Sequence, residues 1–329
     1  MYRKPDKKNW RGREDIIDGK DGLRWHQKIQ IINLADEIYT SLLPKSKKGL
    51  ALLGFCSDEG VRRNQGRLGA TEGATVLRSH LSNLPWHFED DLTLLDAGDI
   101  FCLGEFLEDA QEDLGEAVEK LLEVNYQTIL MGGGHEIAYG HYLGIKNFVR
   151  KKNARLGIIN FDAHFDMRET LDGKASSGTP FLQIAKDLKQ NQQDFNYFVL
   201  GIQRVSNTPK LFKTAEHWGV QFIPSERMDF MFIQDIHEQL AKFIERVDYV
   251  YVTVCLDVFS AAYAPGVSAL NGSGIYPTIV TDLIKFISQT GKVLAFDVAE
   301  LNPKFDLDGR TARLASNLIF SYVDACTMV

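Results

Sequence analysis

Leu156-Gly157-Ile158-Ile159-Asn160-Phe161 runs straight into Asp162-Ala163-His164-Phe165-Asp166, and this junction decides the fold. Six nearly unbroken apolar residues read as a strand covered on both faces, as in a parallel sheet flanked by helices. Similar short runs lie at 50–55, 92–97, 128–131, 197–201, 220–223, 249–256 and 293–296. Segments of helical length and amphipathic spacing separate them, at 107–124, 139–151, 233–247, 278–288 and 310–325 among others. That alternation predicts an open α/β sheet with helices on both sides. No repeat or linker interrupts it, so residues 49–329 are expected to form one catalytic domain. Residues 1–48 are expected to form an N-terminal arm, with a solvated start of about 15 residues and one helix over 29–43 ended by Pro44.

Composition narrows the class. The 329 residues carry 37 Lys and Arg against 44 Asp and Glu, for a net charge of −7. That argues against a nucleic-acid partner. No run approaches the ~18 apolar residues of a membrane span, and the charged start MYRKPDKKNWRGRED lacks the apolar core of a secretory signal. Cys56, Cys102, Cys255 and Cys326 are scattered, without a CxxC pair, which reads as reduced thiols in the cytoplasm.

In open parallel sheets, ligands bind beyond the carboxyl ends of the strands, so the residues after each apolar run carry the information. Gly132-Gly133-Gly134-His135-Glu136 follows one run. Its glycines permit a sharp turn and close backbone approach; neither GxGxxG nor GK[ST] is matched, which disfavours a phosphate loop. Asp162, His164 and Asp166 stand at i, i+2 and i+4, on one face if the extended run continues. Two carboxylates and an imidazole that close need a compensating cation, and oxygen with imidazole suits Mn²⁺, Fe²⁺, Co²⁺ or Zn²⁺ better than Ca²⁺. Cys255 and Asp257 share a face after the run at 249–254. Asp297, which could simply cap a loop, and Glu300 follow another run. Arg62, Arg63 and Arg67 lie in a glycine-flanked turn after the first run, and Arg suits bidentate carboxylate capture. Ordinary surface charge is the plain alternative.

Together these motifs resemble the arginase–agmatinase (ureohydrolase) superfamily, and within it the formimidoylglutamases. The resemblance rests on GGGHE at 132–136, NFDAHFDMR at 160–168, SSGTPF at 176–181, LDVFSAAYAPGVSA at 256–269 and AELNP at 299–303, with GVRRNQGRLGA at 60–70. It implies a three-layer αβα sandwich around a mostly parallel eight-stranded sheet, assembled as a homo-oligomer (trimer or hexamer). It also implies two Mn²⁺ ions held by His135, Asp162, His164, Asp166 and Asp257. Glu300 falls on the acid that contacts the amidine group, and Asp166 on the carboxylate that moves a proton to the leaving nitrogen. Arg168 falls where the carboxylate end of the substrate is met. Ser177 stands where arginases carry a proton-shuttling histidine, so that role has no evident owner.

The sequence departs from the family pattern at Cys255, which replaces a bridging aspartate. The remaining ligand carboxylates then leave part of the charge of two divalent ions uncompensated, and a thiolate is a softer ligand than Mn²⁺ prefers. One firm metal site and a second, weaker one are therefore expected. Cys255 ligates, stays a neutral thiol or merely packs beside the site. The implied reaction is hydrolysis of N-formimidoyl-L-glutamate to L-glutamate and formamide, a step of histidine degradation, on a small acidic metabolite. Hydrolysis of a guanidino substrate, and a metal-poor binding protein without activity, are the alternatives.

Overall fold

The computed structural model describes residues 1–36, 48–88 and 92–328. Its centre is one sheet whose strands are β1 (Tyr2–Arg3), β2 (Gln30–Ile31), β3 (Lys48–Cys56), β4 (Leu92–Phe101), β5 (Gln127–Gly132), β6 (Leu156–Phe161), β7 (Asn196–Ile202), β8 (Gln221–Pro224), β9 (Tyr249–Cys255) and β10 (Val293–Ala299). They lie in the order β1-β4-β3-β5-β10-β9-β6-β7-β8, with β2 also pairing with β4. Every pairing is parallel except β1 with β4.

Side chains alternate across the sheet with period 2. Leu50 and Leu52 of β3 face one core, while Ala51, Leu53 and Phe55 face the other. The first core is closed by α3 (Gly73–Ser82), α8 (Ile233–Glu245), α9 (Pro277–Ser288) and α10 (Arg310–Thr327). The second is closed by α4 (Leu107–Glu123), α5 (Ile137–Lys151), α6 (Pro180–Gln190) and α7 (Pro209–His217). This is the three-layer sandwich. Its eight longer strands are those read from the apolar runs, and two two-residue strands are added at one edge.

The N-terminal arm differs from its reading. Residues 1–15 are not a solvated tail: Tyr2 pairs with Ile100 of β4, and Trp10 is buried. The Trp10 indole donates to Asp96 Oδ2 at 2.7 Å, and the same carboxylate receives the fully buried Arg78 guanidinium, which also reaches Asp99 at 2.6 Å. A buried charge must be paired and hydrogen-bonded to be tolerated, and this cluster ties the arm to α3 and β4. The helix expected over 29–43 is also corrected. Gln30–Ile31 is a strand beside Leu95 and Asp96, the short helix of the arm is α1 (Trp25–Lys28), and residues 37–47 lie outside the described residues.

Candidate metal centre and substrate cleft

β5, β10, β9 and β6 are consecutive neighbours. Their carboxyl ends therefore deliver His135, Glu300, Cys255 with Asp257, and Asp162 with His164 and Asp166 to one place, with strands only about 4.8 Å apart. The glycines before His135 serve this approach. Gly133 N–H donates to Phe55 O at 2.8 Å and Gly134 N–H to Ser57 O at 3.0 Å. A Cβ on Gly133 would sit 1.9 Å from Ser57 O.

Two donor groups result. Ligand atoms of His135, Asp162 and Cys255 lie within 4.8 Å of one another, as do those of Asp162, His164 and Asp257, so Asp162 belongs to both. Asp162 Oδ2 and Asp166 Oδ2 each lie 3.0 Å from His135 Nδ1. His164 Nδ1 lies 3.2 Å from Asp257 Oδ2. The convergence is not that of an extended run. The chain leaves the strand at Phe161, His164 N–H donates to Asp162 Oδ1 at 2.7 Å, and Asp166 turns back at φ +46°. Glu300 likewise has φ +72°. Such backbone costs about 1–3 kcal/mol per residue and persists where the surroundings impose it.

The electrostatics call for a cation. Burial alone would lower the pKa of His135 and of His164, yet hydrogen bonds and charges of the carboxylates raise both well above the usual range. Burial opposes ionisation of Asp162 too, but the two histidines hold its pKa low. Burial and the Asp162 charge push Asp166 up. Burial and the surrounding carboxylates also push up the Cys255 thiol. Asp257 Oδ1 is buried with no hydrogen-bond partner among the described residues, and an orphaned acceptor inside a carboxylate cluster fits a cation ligand. The donor set, with oxygen and imidazole on both sides and sulfur on one, fits a pair of divalent ions sharing Asp162.

Above the donors opens a cleft of about 250 Å³. Asp166, Glu300, Arg168 and Ser177 line it. Glu300 Oε1 accepts from His135 N–H at 2.9 Å, and Oε2 from the Ser268 hydroxyl. Burial, with the Asp257 charge, pushes Glu300 to about 7. Ser177 accepts from Asn64 Nδ2 at 3.1 Å. Arg168 crosses Gly178, where a Cβ would come 3.0 Å from its Cδ. Among the described residues the Arg168 side chain makes no ion pair or hydrogen bond.

The arginine-rich segment borders the cleft through Val61, Asn64, Gln65 and Gly66, but Arg62, Arg63 and Arg67 do not line it; the first two lie on α2 (Glu59–Arg63). Arg62 and Arg63 both pair with Glu59; Arg62 also reaches Glu105, and Arg63 reaches Glu108 and the carbonyls of Glu105 and Ala175. Arg67 lies over the Phe305 ring, 4.1 Å from its centroid, and donates to the carbonyls of Pro265, Val267 and Ser268. These guanidiniums are consumed by acids and carbonyls that sequence distance concealed, so Arg62, Arg63 and Arg67 do not form the expected carboxylate clamp; of the four arginines singled out, Arg168 is the one that lines the cleft. Three further residues escaped the sequence reading. Ser268 holds Glu300, and Thr253 lies 3.0 Å from His135 Nε2. Glu136 is wholly buried, accepting from Ser57 and from Gly60 N–H at 2.9 Å, and burial with the Glu300 charge raises it to about 8. A Thr inside an apolar strand and an acid beside the histidine were the available signals.

A parallel αβα sandwich with two carboxylate–imidazole donor groups sharing one aspartate defines a metal-binding hydrolase of the arginase type. The arginase-family model matches residues 48–324, and the chain belongs to that family as a hydrolase. It is 42% identical over 322 residues to the formimidoylglutamase of Clostridium tetani, covering 97% of this chain and 95% of that protein. Its fold matches the formimidoylglutamase of Bacillus subtilis with a TM-score of 0.76 at 23% identity, over 87% of this chain and 89% of that one. It matches the formiminoglutamase of Trypanosoma cruzi, solved with Mn²⁺, with a TM-score of 0.76 at 24% identity, over 87% and 97%.

Proposed function

We propose that this protein hydrolyses N-formimidoyl-L-glutamate to L-glutamate and formamide, as a step of histidine degradation in the cytoplasm. The observation that carries the reading is the cleft itself: two donor groups suited to cations at its floor, the Glu300 carboxylate beside them, and on its wall the guanidinium of Arg168, uncommitted among the described residues. The near full-length likeness to a formimidoylglutamase supports the choice of substrate. The unpaired cysteines suit a reducing compartment.

His135, Asp162, Asp166 and Cys255 would hold one ion, and Asp162, His164 and Asp257 the other; Mn²⁺ is the ion we assign. When bound, the ions supply Lewis acidity and bring water toward ionisation at neutral pH. The chain's own residues do the rest. Arg168 takes a carboxylate of the glutamyl part, which aims the amidine carbon at the floor. Glu300, braced by Ser268 and His135 N–H, holds the cationic amidinium. Asp166 carries a proton to the glutamyl nitrogen as the C–N bond breaks, and the water oxygen remains on the carbon as formamide. A guanidino substrate with a free amine end would leave Arg168 facing a like charge.

The test is product analysis with Mn²⁺-loaded protein. Equal amounts of glutamate and formamide from N-formimidoyl-L-glutamate, without urea from agmatine or arginine, are expected. Urea release at a higher kcat/KM would transfer the protein to the guanidine hydrolases. No turnover with any divalent ion would favour a binding protein.

A further inference from the structure

Behind His135 lies a chain of buried polar side chains that the reaction above does not use. β9 and β10 place Thr253 opposite Asp297. Tyr251, two residues earlier on β9, points to the same face. Asp297, wholly buried in mid-strand and not a loop cap, accepts from Thr253 Oγ1 on Oδ1 at 2.5 Å. Its Oδ2 accepts from the Tyr251 hydroxyl at 2.5 Å and faces His141 Nδ1 at 2.7 Å. The other nitrogen of His141 meets Thr128 Oγ1 at 2.8 Å. His135, Thr253, Asp297, Tyr251, His141 and Thr128 are each at most 1% exposed.

The proton count gives this chain a direction. A threonine hydroxyl has one proton, and Asp297, an acceptor, takes it. The contact of 3.0 Å between Thr253 Oγ1 and His135 Nε2 then requires Nε2–H to donate. With Nε2–H committed there, Nδ1, on the side of Asp162 and Asp166, is the nitrogen that gives up its proton and offers its lone pair when an ion binds. A ligating imidazole whose outer N–H is held is fixed in tautomer and rotation and made more basic.

We propose that Thr253, itself oriented by Asp297, is a positioning residue that sets the tautomer of His135 for the ion on the Cys255 side. The inference rests on the metal reading above. It assigns the Thr253 hydroxyl a role for one of the two ions and none for the ion held by His164 and Asp257.

The test counts and titrates ions rather than turnover. Metal-stripped protein is titrated with Mn²⁺ by calorimetry, and the ions retained after gel filtration are counted by elemental analysis. Wild type is expected to hold two. Thr253→Val keeps the shape but removes the hydroxyl, and should weaken one ion about 10–100-fold while the other keeps its affinity. Thr253→Ser should restore it. Asp297→Asn, which keeps the volume but lowers the polarisation of Thr253, should weaken the same ion to a smaller degree, and it serves if Thr253→Val does not fold. Two ions bound to Thr253→Val with wild-type affinity would overturn the inference alone, as would a Ser variant as weak as Val. Wild-type protein that binds no divalent ion would overturn the metal reading and this inference with it.

Discussion

Arg168→Ala separates substrate capture from every other task of the cleft. The side chain is exposed, lines the cleft and has no polar partner among the described residues, so its removal should leave stability within about 0.5 kcal/mol. What it loses is the contact with the glutamyl carboxylate. A hydrogen bond to a charged group contributes about 1.5–3 kcal/mol, and the solvent around an exposed guanidinium favours the lower half of that range. At 1.36 kcal/mol per decade, kcat/KM for N-formimidoyl-L-glutamate should fall roughly 10- to 50-fold. The contact is remote from the breaking bond and equal in ground and transition states, so KM should carry most of the change. Initial rates of glutamate release over a range of substrate, with a thermal melt of the same sample, read both quantities. An unchanged KM in a well-folded, Mn²⁺-loaded variant would refute the assignment and move the carboxylate to neutral donors such as Asn64.

Arg63→Ala should give the opposite pattern: its pairs with Glu59 and Glu108 and its bonds to two carbonyls make it a structural tie, so stability should drop by roughly 2–3 kcal/mol with the ion count unchanged, read by urea unfolding and elemental analysis. A chelator should lower Tm and added Mn²⁺ should restore it, since ions that bind only the folded state stabilise it; melts with and without EDTA check this. Metal-free protein should lose stability as pH rises from about 4.5 to about 8. Glu136 and Glu300 are raised in the folded state to about 8 and about 7, so the native form holds protons that the unfolded chain has released, and the slope is negative there. Glu136→Gln should flatten that slope in unfolding curves at pH 5, 6.5 and 8. Co²⁺-loaded wild type should show a sulfur-to-metal absorption band in the near ultraviolet that Cys255→Ser lacks; no band in the wild type would leave Cys255 as a packed thiol.

Residues 156–166 show how far local chemistry reaches. A run such as Leu156–Phe161 can satisfy its burial only between two helical layers, so the sandwich and its longer strands were legible from apolar spacing. The acids and histidines just past the runs were legible because a carboxylate at the end of a buried strand demands a partner. The partners themselves were not. Arg63 finds Glu108 and Trp10 finds Asp96 through contacts 45 and 86 residues apart in the chain, and spacing holds no record of which acid reaches which guanidinium first. Register placed Thr253 opposite Asp297, and a left-handed turn at Asp166, not strand periodicity, closed the ligand cluster.

The alternation of apolar runs with amphipathic segments thus determined the layers and set the candidate donors just past the carboxyl ends of the strands, because burial is a local property of each segment. The tertiary structure alone decided which charges neutralise one another and which remain open to substrate. Pairing depends on distances across the sheet, and among the described residues it left the Arg168 side chain without a polar partner while engaging Arg62, Arg63 and Arg67.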